Sequence, residues 1–181
     1  MRLRAEPVRS SYVCLEPLRA RHAEELAPLL ADAALHRFIG GEPPDLDQVR
    51  SRFVRQSHGA SPDGREVWLN WIVRTGADEH PVGTVQATVI ETRLGSVAEL
   101  AWIIATAYQG HGFAKAAAGL MARWLSQHDI RQLCAHIHPE HLASQAVAAS
   151  VGLLPTEDMV NGERRWQRPD MGAPLTRKAL R

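Results

Sequence analysis

The spacing of hydrophobic residues changes several times along the chain and predicts a series of short elements. Alternation of apolar and polar positions is typical of half-buried strands, and it occurs in residues 12–17, 67–74, 82–92 and 96–106. Apolar residues three and four positions apart are typical of helices, and they occur between the first two strands, in residues 21–30, 32–38 and 46–54. Asp45, with Gln48 three residues later, indicates a capping box at the start of the third helix.

The second half of the chain contains a helix, a strand, a second helix and a terminal hairpin, over residues 113–128, 133–138, 142–151 and 153–166. Gly152 suits the left-handed position that follows a helix, and Asn161-Gly162 is a strong signal for a tight hairpin turn. This order predicts an α+β fold with a mixed, mostly antiparallel central sheet flanked by helices.

Length and composition limit the classes of protein that fit the pattern. The 181 residues suit one domain, and we expect a single domain over 1–181 with loose tails at about 1–10 and 170–181. A net charge of +1 does not predict nucleic-acid binding. No run approaches the roughly 18 apolar residues of a membrane span, so a cytoplasmic location is the default expectation. Cys14 and Cys134 lie in apolar segments, which predicts small buried thiols.

Residues 109–114, Gln-Gly-His-Gly-Phe-Ala, lie between a predicted strand and a predicted helix. Two glycines allow a tight bend that brings backbone N–H groups close to a ligand. The helix that begins near Phe113 adds unpaired N–H groups and the positive end of its dipole. Together these features predict a phosphate-binding loop. The loop lacks the third glycine of a dinucleotide-binding fingerprint and the Gly-Lys-Ser/Thr of a Walker motif.

The surrounding residues give this loop a more specific interpretation. Gln109, Gly112 and Ala114 match the pattern Gln/Arg-x-x-Gly-x-Gly/Ala of the pyrophosphate loop in the GNAT superfamily of N-acetyltransferases. The preceding strand, residues 98–104, and the later segment 139–153 also resemble that family, over residues 96–154 in all. The arrangement is most similar to the RimJ/RimL branch, whose members acetylate protein N-termini or small amines.

The resemblance implies an enzyme that moves an acetyl group from acetyl-CoA to a primary amine, with direct attack of the amine on the thioester. It also implies a cofactor site formed by the backbone of three strand residues, the loop, and the start of the last helix: Trp102, Ile103, Ile104, Gln109, Gly110, His111, Gly112, Phe113, Ala114, Lys115 and His141. The expected acceptor is an amine of a small molecule or of a peptide N-terminus. The sequence leaves open whether the protein forms a homodimer.

Two residues are candidates for the chemistry. Glu99 lies where the resemblance places a base that deprotonates the amine. Strand alternation sets it beside Ala101 and Ile103, which predicts a partly desolvated carboxylate. Many relatives use a tyrosine after the last helix to serve the leaving thiolate, and this chain has none there. Ser144 is the remaining candidate, although a serine in the first turn of a helix also caps its own backbone.

The chain departs from the family pattern at two positions, and two other interpretations stay open. His141 stands where the family has Asn, and Leu153 stands where it has Phe. His136, His138 and His141 have a His-x-His-x-x-His spacing that is compatible with zinc and a metallohydrolase. A third possibility is a non-catalytic module that binds acyl-CoA without transferring the acyl group.

Overall fold

Five α-helices and eight strands follow one another in the part of the chain that this computed structural model describes, residues 3–76 and 78–169. The helices are α1 (Ala23–Leu30), α2 (Ala33–Ile39), α3 (Leu46–Ser57), α4 (Phe113–Gln127) and α5 (Leu142–Ser150). The strands are β1 (Val8–Arg9), β2 (Val13–Pro17), β3 (Glu66–Thr75), β4 (Pro81–Thr92), β5 (Gly95–Ile104), β6 (Gln132–Ile137), β7 (Leu154–Val160) and β8 (Glu163–Gln167). Within the described ranges, no helix is both long and apolar enough to cross a lipid bilayer.

All eight strands belong to one sheet, in the order β1-β2-β3-β4-β5-β6-β8-β7. Every neighbouring pair is antiparallel except β5 and β6, which run parallel. A parallel pair needs a long crossover, and α4 supplies it between β5 and β6. The predicted α+β fold with a mixed, mostly antiparallel sheet is therefore confirmed.

The two faces of the sheet carry different helices. On one face, α4 packs Ala117, Met121 and Leu125 into the larger core, and all three side chains are fully buried. On the other face, α1, α2 and α3 enclose a smaller core around Ile72 of β3, with Phe53 of α3 buried against it. Each fully buried apolar side chain of this size contributes roughly 1.5–3 kcal/mol. The sheet is thus held between two helical layers.

The N-terminal segment packs against the sheet, so the prediction of a loose tail is wrong for residues 3–10. Strand β1 pairs with β2, and Val8 lies opposite Leu15. The indole N–H of Trp71 donates to the backbone oxygen of Glu6 at 2.8 Å, a contact between residues 65 positions apart. Such pairing is not visible in local periodicity. The predicted C-terminal tail, 170–181, lies outside the described residues.

A buried histidine ties β2 and β3 to α1. His22 is 2% exposed, and its Nδ1 accepts the backbone N–H of Arg19 at 3.1 Å. Its Nε2 therefore carries the proton and donates to Glu16 at 3.2 Å. Arg74 then joins Glu16 and Glu25 through two contacts of 2.6 Å. Burial lowers the pKa of His22 below its ordinary value of 6.5, although the Glu16 charge opposes that shift.

The lowered pKa gives a pH dependence of stability that a variant can test. Neutral His22 is the form that the fold holds, so its contribution is complete above about 6.5 and is lost as the pH falls through the lower folded-state value. The His22→Gln variant should therefore lose stability less steeply than wild type as a series of urea unfolding curves is taken to acid pH. The same substitution at exposed His58 is the control. Parallel pH curves for wild type and His22→Gln would contradict the expectation.

Candidate active site

Strands β5 and β6 separate part of the way along their length. Strand β5 pairs with β4 over all ten of its residues, but it pairs with β6 only at Val97, Ala98 and Glu99. Beyond Glu99, within the described residues, the β6 side of β5 has no partner strand. An unpaired strand edge exposes N–H and C=O groups that can bind an extended ligand.

Alternation decides which backbone groups face this gap. The N–H of Ala105 donates to Val82 of β4, so the odd-numbered residues at this end of β5 point their backbone groups toward β4. The backbone groups of Trp102 and Ile104 consequently point to the open side. The Ile103 oxygen lies so close to β4 that a Cβ added at Gly83 would approach it to 2.0 Å. The backbone contact to cofactor stays a prediction; this orientation favours it for Trp102 and Ile104, whereas the backbone groups of Ile103 face β4.

The glycine loop continues this edge into the start of α4. Gly110 and Gly112 have φ values of 78° and 81°, in the left-handed region that favours glycine, and a Cβ at either would meet nothing within 4 Å. Gly112 is the N-cap residue of α4 and has no side chain to cap the first N–H groups of the helix. The amide of Gln109 donates to the Ile104 oxygen at 2.9 Å and ties the loop to β5. The N–H groups at the start of a 15-residue helix therefore face open space, which suits an anion.

Tyr12 was not predicted as a site residue, but it anchors the glycine loop of residues 109–114. Its hydroxyl donates to the backbone oxygen of His111, and its ring stacks on Phe113 with centroids 5.1 Å apart. The Nδ1 atom of His111 lies 2.8 Å from the Gln109 oxygen. The contact between Tyr12 and His111 joins residues 99 positions apart, and no local pattern indicates it.

We expect Tyr12→Phe to weaken acetyl-CoA binding by about 2–10-fold, the range of one lost hydrogen bond, because the loop loses an anchor but keeps the ring contact. Titration calorimetry measures the Kd. Thr156→Val is the control, since it also removes a hydroxyl that donates to a backbone oxygen, that of Arg165 at 3.0 Å, but lies in β7 and not at the loop. An unchanged Kd for Tyr12→Phe would show that the anchor does not shape the loop.

A cavity of about 460 Å³ runs along the gap between β5 and α5, from the loop to α2. Its walls include most of the predicted site residues and a group of apolar residues from α2 and α5. They are Ala34, Leu35, Phe38, Trp102, Ile103, Ile104, Tyr108, Gln109, Gly110, Gly112, Phe113, Ala114, Lys115, His141, Ala143, Ser144, Ala146 and Val147. The predicted site residues His111 and Glu99 are not among them. Helix α2 closes one side of the cavity.

The start of α5 brings Ser144 and His141 to this cavity. Among the described contacts, Ser144 makes no side-chain bond to its own helix backbone, and its Oγ lies 3.2 Å from the indole nitrogen of Trp102. The capping alternative for Ser144 is therefore not observed. The ring of His141 stacks on Phe38 with centroids 4.2 Å apart. Burial, and then the nearby charge of His138, lower the pKa of His141, so a neutral ring faces the cavity.

Glu99 lies at the point where β5 and β6 separate. Its side chain is 51% exposed, so the predicted desolvation beside Ala101 and Ile103 is wrong. The reason is that the helices which cover this sheet face pack over β3 and β4 and leave Glu99 of β5 open. The Nδ1 atom of His136 lies 2.6 Å from the carboxylate, and its ring is 19% exposed. This contact was not predicted, since 37 residues separate the two positions.

The histidines that suggested zinc are engaged elsewhere. His136 faces Glu99, while His138 and His141 lie against the ring of Phe38. In residues 3–76 and 78–169, no group of three His, Cys, Asp or Glu side chains is arranged to hold a metal ion. The metallohydrolase interpretation thus has no ligand set in this part of the chain to rest on.

A free strand edge that leads into a glycine loop at a helix start suits a ligand with an extended arm and a phosphate group. Comparisons with known proteins identify the family that has this arrangement. The family profile described as "Acetyltransferase (GNAT) domain" matches residues 13–154. The chain therefore belongs to the GNAT acetyltransferase family, and it is an N-acetyltransferase by class. No curated protein sequence matches it.

Solved structures share its fold at low sequence identity. A GNAT-family acetyltransferase from Bacillus anthracis superposes with a TM-score of 0.70 at 12% identity, over 90% of this chain and 96% of that one. RimL, in complex with coenzyme A, gives a TM-score of 0.71 at 16% identity, over 90% and 97%. The aminoglycoside acetyltransferase AAC(6')-Ib, in complex with coenzyme A, gives 0.69 at 15% identity, over 86% and 92%. These identities support the fold alone.

Proposed function

We propose that this chain transfers an acetyl group from acetyl-CoA to a primary amine, by direct attack of the amine on the thioester. The observation that carries the proposal is the separation of β5 and β6 beside the loop at the start of α4. An extended ligand that pairs with the free edge of β5 would run directly into the anion site at the loop. Coenzyme A matches this order, because its extended pantetheine arm is followed by a pyrophosphate.

The donor site follows from the walls of the cavity. The loop N–H groups between Gly110 and Lys115 would hold the pyrophosphate, and the open edge at Trp102 and Ile104 would pair with the pantetheine amides. His141 lines the cavity at the position where the family has Asn. Its neutral ring has one donor nitrogen and one acceptor nitrogen, and either could contact the pantetheine arm. The residues present therefore fit acetyl-CoA, which supplies the activated acetyl thioester.

The amine must lose a proton before or during attack, because an alkyl ammonium has a pKa of about 10. Glu99 is our candidate for the base. It is the last residue of β5 that pairs with β6, so its carboxylate stands at the fork from which the free edge begins. The N–H of His136 holds one carboxylate oxygen at 2.6 Å. The half-exposed side chain leaves room for an amine, or for a water molecule that relays the proton.

The leaving thiolate needs a hydrogen-bond donor, and we assign this role to Ser144. Its hydroxyl lines the cavity at the first turn of α5. The N-cap residue His141 makes no side-chain bond to this helix, so the positive end of α5 is uncapped by a side chain. A thiolate formed beside Ser144 would gain from both the hydroxyl and the helix end.

Similar folds support a primary amine as the acceptor without selecting one. The structural neighbours include a ribosomal-protein N-terminal acetyltransferase, an aminoglycoside acetyltransferase and a chimeric spermidine N-acetyltransferase from Vibrio cholerae. Resemblance of residues 96–154 to the RimJ/RimL branch, whose members acetylate protein N-termini or small amines, keeps both classes of acceptor open. Asp45 is part of the α3 capping box, and Asp47 forms an ion pair with Arg50. Both carboxylates are therefore poor candidates for binding a cationic acceptor.

A panel of amines tests the proposal. Purified protein is incubated with acetyl-CoA and with peptides, polyamines or aminoglycosides, while free thiol is followed and products are weighed by mass spectrometry. We expect one class to gain an acetyl group with matching thiol release. Tight acetyl-CoA binding without transfer to any amine would instead favour the non-catalytic acyl-CoA-binding alternative.

A further inference from the structure

One hydrogen bond crosses the cavity from β5 to α5. The indole Nε1 of Trp102 lies 3.2 Å from Oγ of Ser144, and both side chains line the cavity. An indole N–H is only a donor, whereas a serine hydroxyl both donates and accepts. The direction of this bond is therefore fixed: Trp102 donates and Ser144 accepts.

The same bond constrains the proton of Ser144. The Oγ accepts the Trp102 N–H with one of its lone pairs, and the described residues show no acceptor for the Ser144 O–H. Other serines of the helical layer behave differently: Ser150 donates to the Val147 oxygen at 2.6 Å, and Ser126 donates to the Ala122 oxygen at 3.0 Å. Ser144 is thus a first-turn serine that keeps its proton available to the cavity.

We propose that Trp102 is a positioning residue for acetyl transfer, and that its indole N–H holds the Ser144 hydroxyl with the proton directed at the leaving sulfur. The inference rests on the proposed function, in which Ser144 serves the thiolate. A hydroxyl that accepts one hydrogen bond becomes a better donor in the next, because the two bonds polarise each other. Trp102 thereby strengthens the Ser144 donor at the moment when charge develops on sulfur.

The bonds and charges balance with the groups already named. The amine nitrogen forms a bond to the acetyl carbon, the carbon–sulfur bond breaks, and sulfur leaves with the electron pair. An ammonium acceptor first loses one proton to solvent, and the second proton, which the nitrogen loses as the amide forms, goes to Glu99 or to a relaying water. Ser144 donates a hydrogen bond to the thiolate, while Trp102 keeps its N–H throughout. A charged acceptor makes such a bond roughly twice as strong as a neutral one.

A double-mutant cycle separates this role from simple packing. Ser144→Ala should lower kcat by about 10–100-fold, and Trp102→Phe, which keeps a ring but removes the donor, by about 3–10-fold. The double variant should be no slower than Ser144→Ala, since Trp102 acts through the hydroxyl. The Kd for acetyl-CoA should stay within about twofold of wild type in each variant, no more than the lower end of the change expected for one lost hydrogen bond.

Two further variants sharpen the cycle. Ser144→Thr keeps a hydroxyl and should retain most of the rate, together with the sensitivity to Trp102→Phe. Ser150→Ala, on the same helix but bonded only to its own backbone, is the control and should leave kcat unchanged. If Trp102→Phe slows Ser144→Ala as much as it slows wild type, Trp102 acts by packing and the inference is overturned.

A spectroscopic measurement tests the bond without any turnover. The chain has five tryptophans, so Trp102→Phe identifies the Trp102 indole N–H by the resonance that it removes. Ser144→Ala should shift that resonance and accelerate its exchange with solvent, while Ser150→Ala should not. An indole resonance that does not respond to Ser144→Ala overturns the inference. A normal response in a protein that acetylates no amine would count against the proposed function instead.

Discussion

The Glu99→Gln variant should keep the affinity for acetyl-CoA and lower kcat by about 10²–10⁴-fold, the usual cost of losing a general base. Glutamine preserves the size of the side chain and can still accept the N–H of His136, which lies 2.6 Å from the carboxylate. It cannot take a proton from the amine. Because Glu99 lies outside the cavity that would hold the donor, the Kd for acetyl-CoA should not move.

The pH dependence of the rate adds a second readout. The wild-type rate should fall in acid, because a protonated carboxyl group cannot accept a proton from the amine, and Glu99→Gln should lack that limb. Glu91→Gln is a suitable control, since Glu91 is also a sheet carboxylate with a short hydrogen bond, at 2.7 Å from Ser96. Normal turnover by Glu99→Gln on a verified acceptor would make Glu99 structural. The base would then be water or the substrate itself, and catalysis would come from positioning the amine beside the thioester.

The Gly112→Glu variant should bind no acetyl-CoA. With φ at 81° and nothing within 4 Å of an added Cβ, Gly112 faces the space where a pyrophosphate would lie. A glutamate there adds bulk and a negative charge at the N-terminus of α4, where the first N–H groups have no cap. The variant carboxylate would occupy the anion site and repel the phosphates.

Thermal unfolding measures this loss directly. At a concentration of acetyl-CoA about 100 times its Kd, binding adds about 2.7 kcal/mol of stability, which corresponds to a rise in Tm of roughly 5–10 °C for a chain of this size. Gly112→Glu should show no rise. Gly162→Glu is the matched control, because Gly162 has nearly the same φ of 83° and equally open surroundings, but lies in the β7–β8 turn. An unchanged rise in Gly112→Glu would remove the loop from the donor site.

The experiments on Glu99 and Gly112 test two parts of the site that were predictable to different degrees. The loop is a local feature: the glycine spacing and the start of a helix are both visible in consecutive residues 109–114. Its backbone φ values agree with that prediction. Glu99 was selected by resemblance, and its surroundings were predicted incorrectly, because exposure depends on which helix covers a sheet face.

The sequence by itself determined most of the elements, with their ends within about three residues, although β1 was missed and α3 continues to Ser57. Asp45 and Gln48 form the capping box that their spacing predicted, and Asn161 and Gly162 both take positive φ in the predicted hairpin turn. These features need only neighbours within a few residues, so side-chain chemistry and backbone preference suffice to predict them. The order of these elements also sufficed for the α+β class.

Only the tertiary structure decided how the elements meet at the site. The separation of β5 and β6 after Glu99, the bond from Tyr12 to His111 and the bond from Trp102 to Ser144 each depend on the packing of distant segments. The last two contacts join residues 99 and 42 positions apart. Periodicity shows which face of an element is apolar, but it does not show which partner that face will meet or where two strands will diverge. Those choices follow from how α4 and α5 pack against the sheet and against each other.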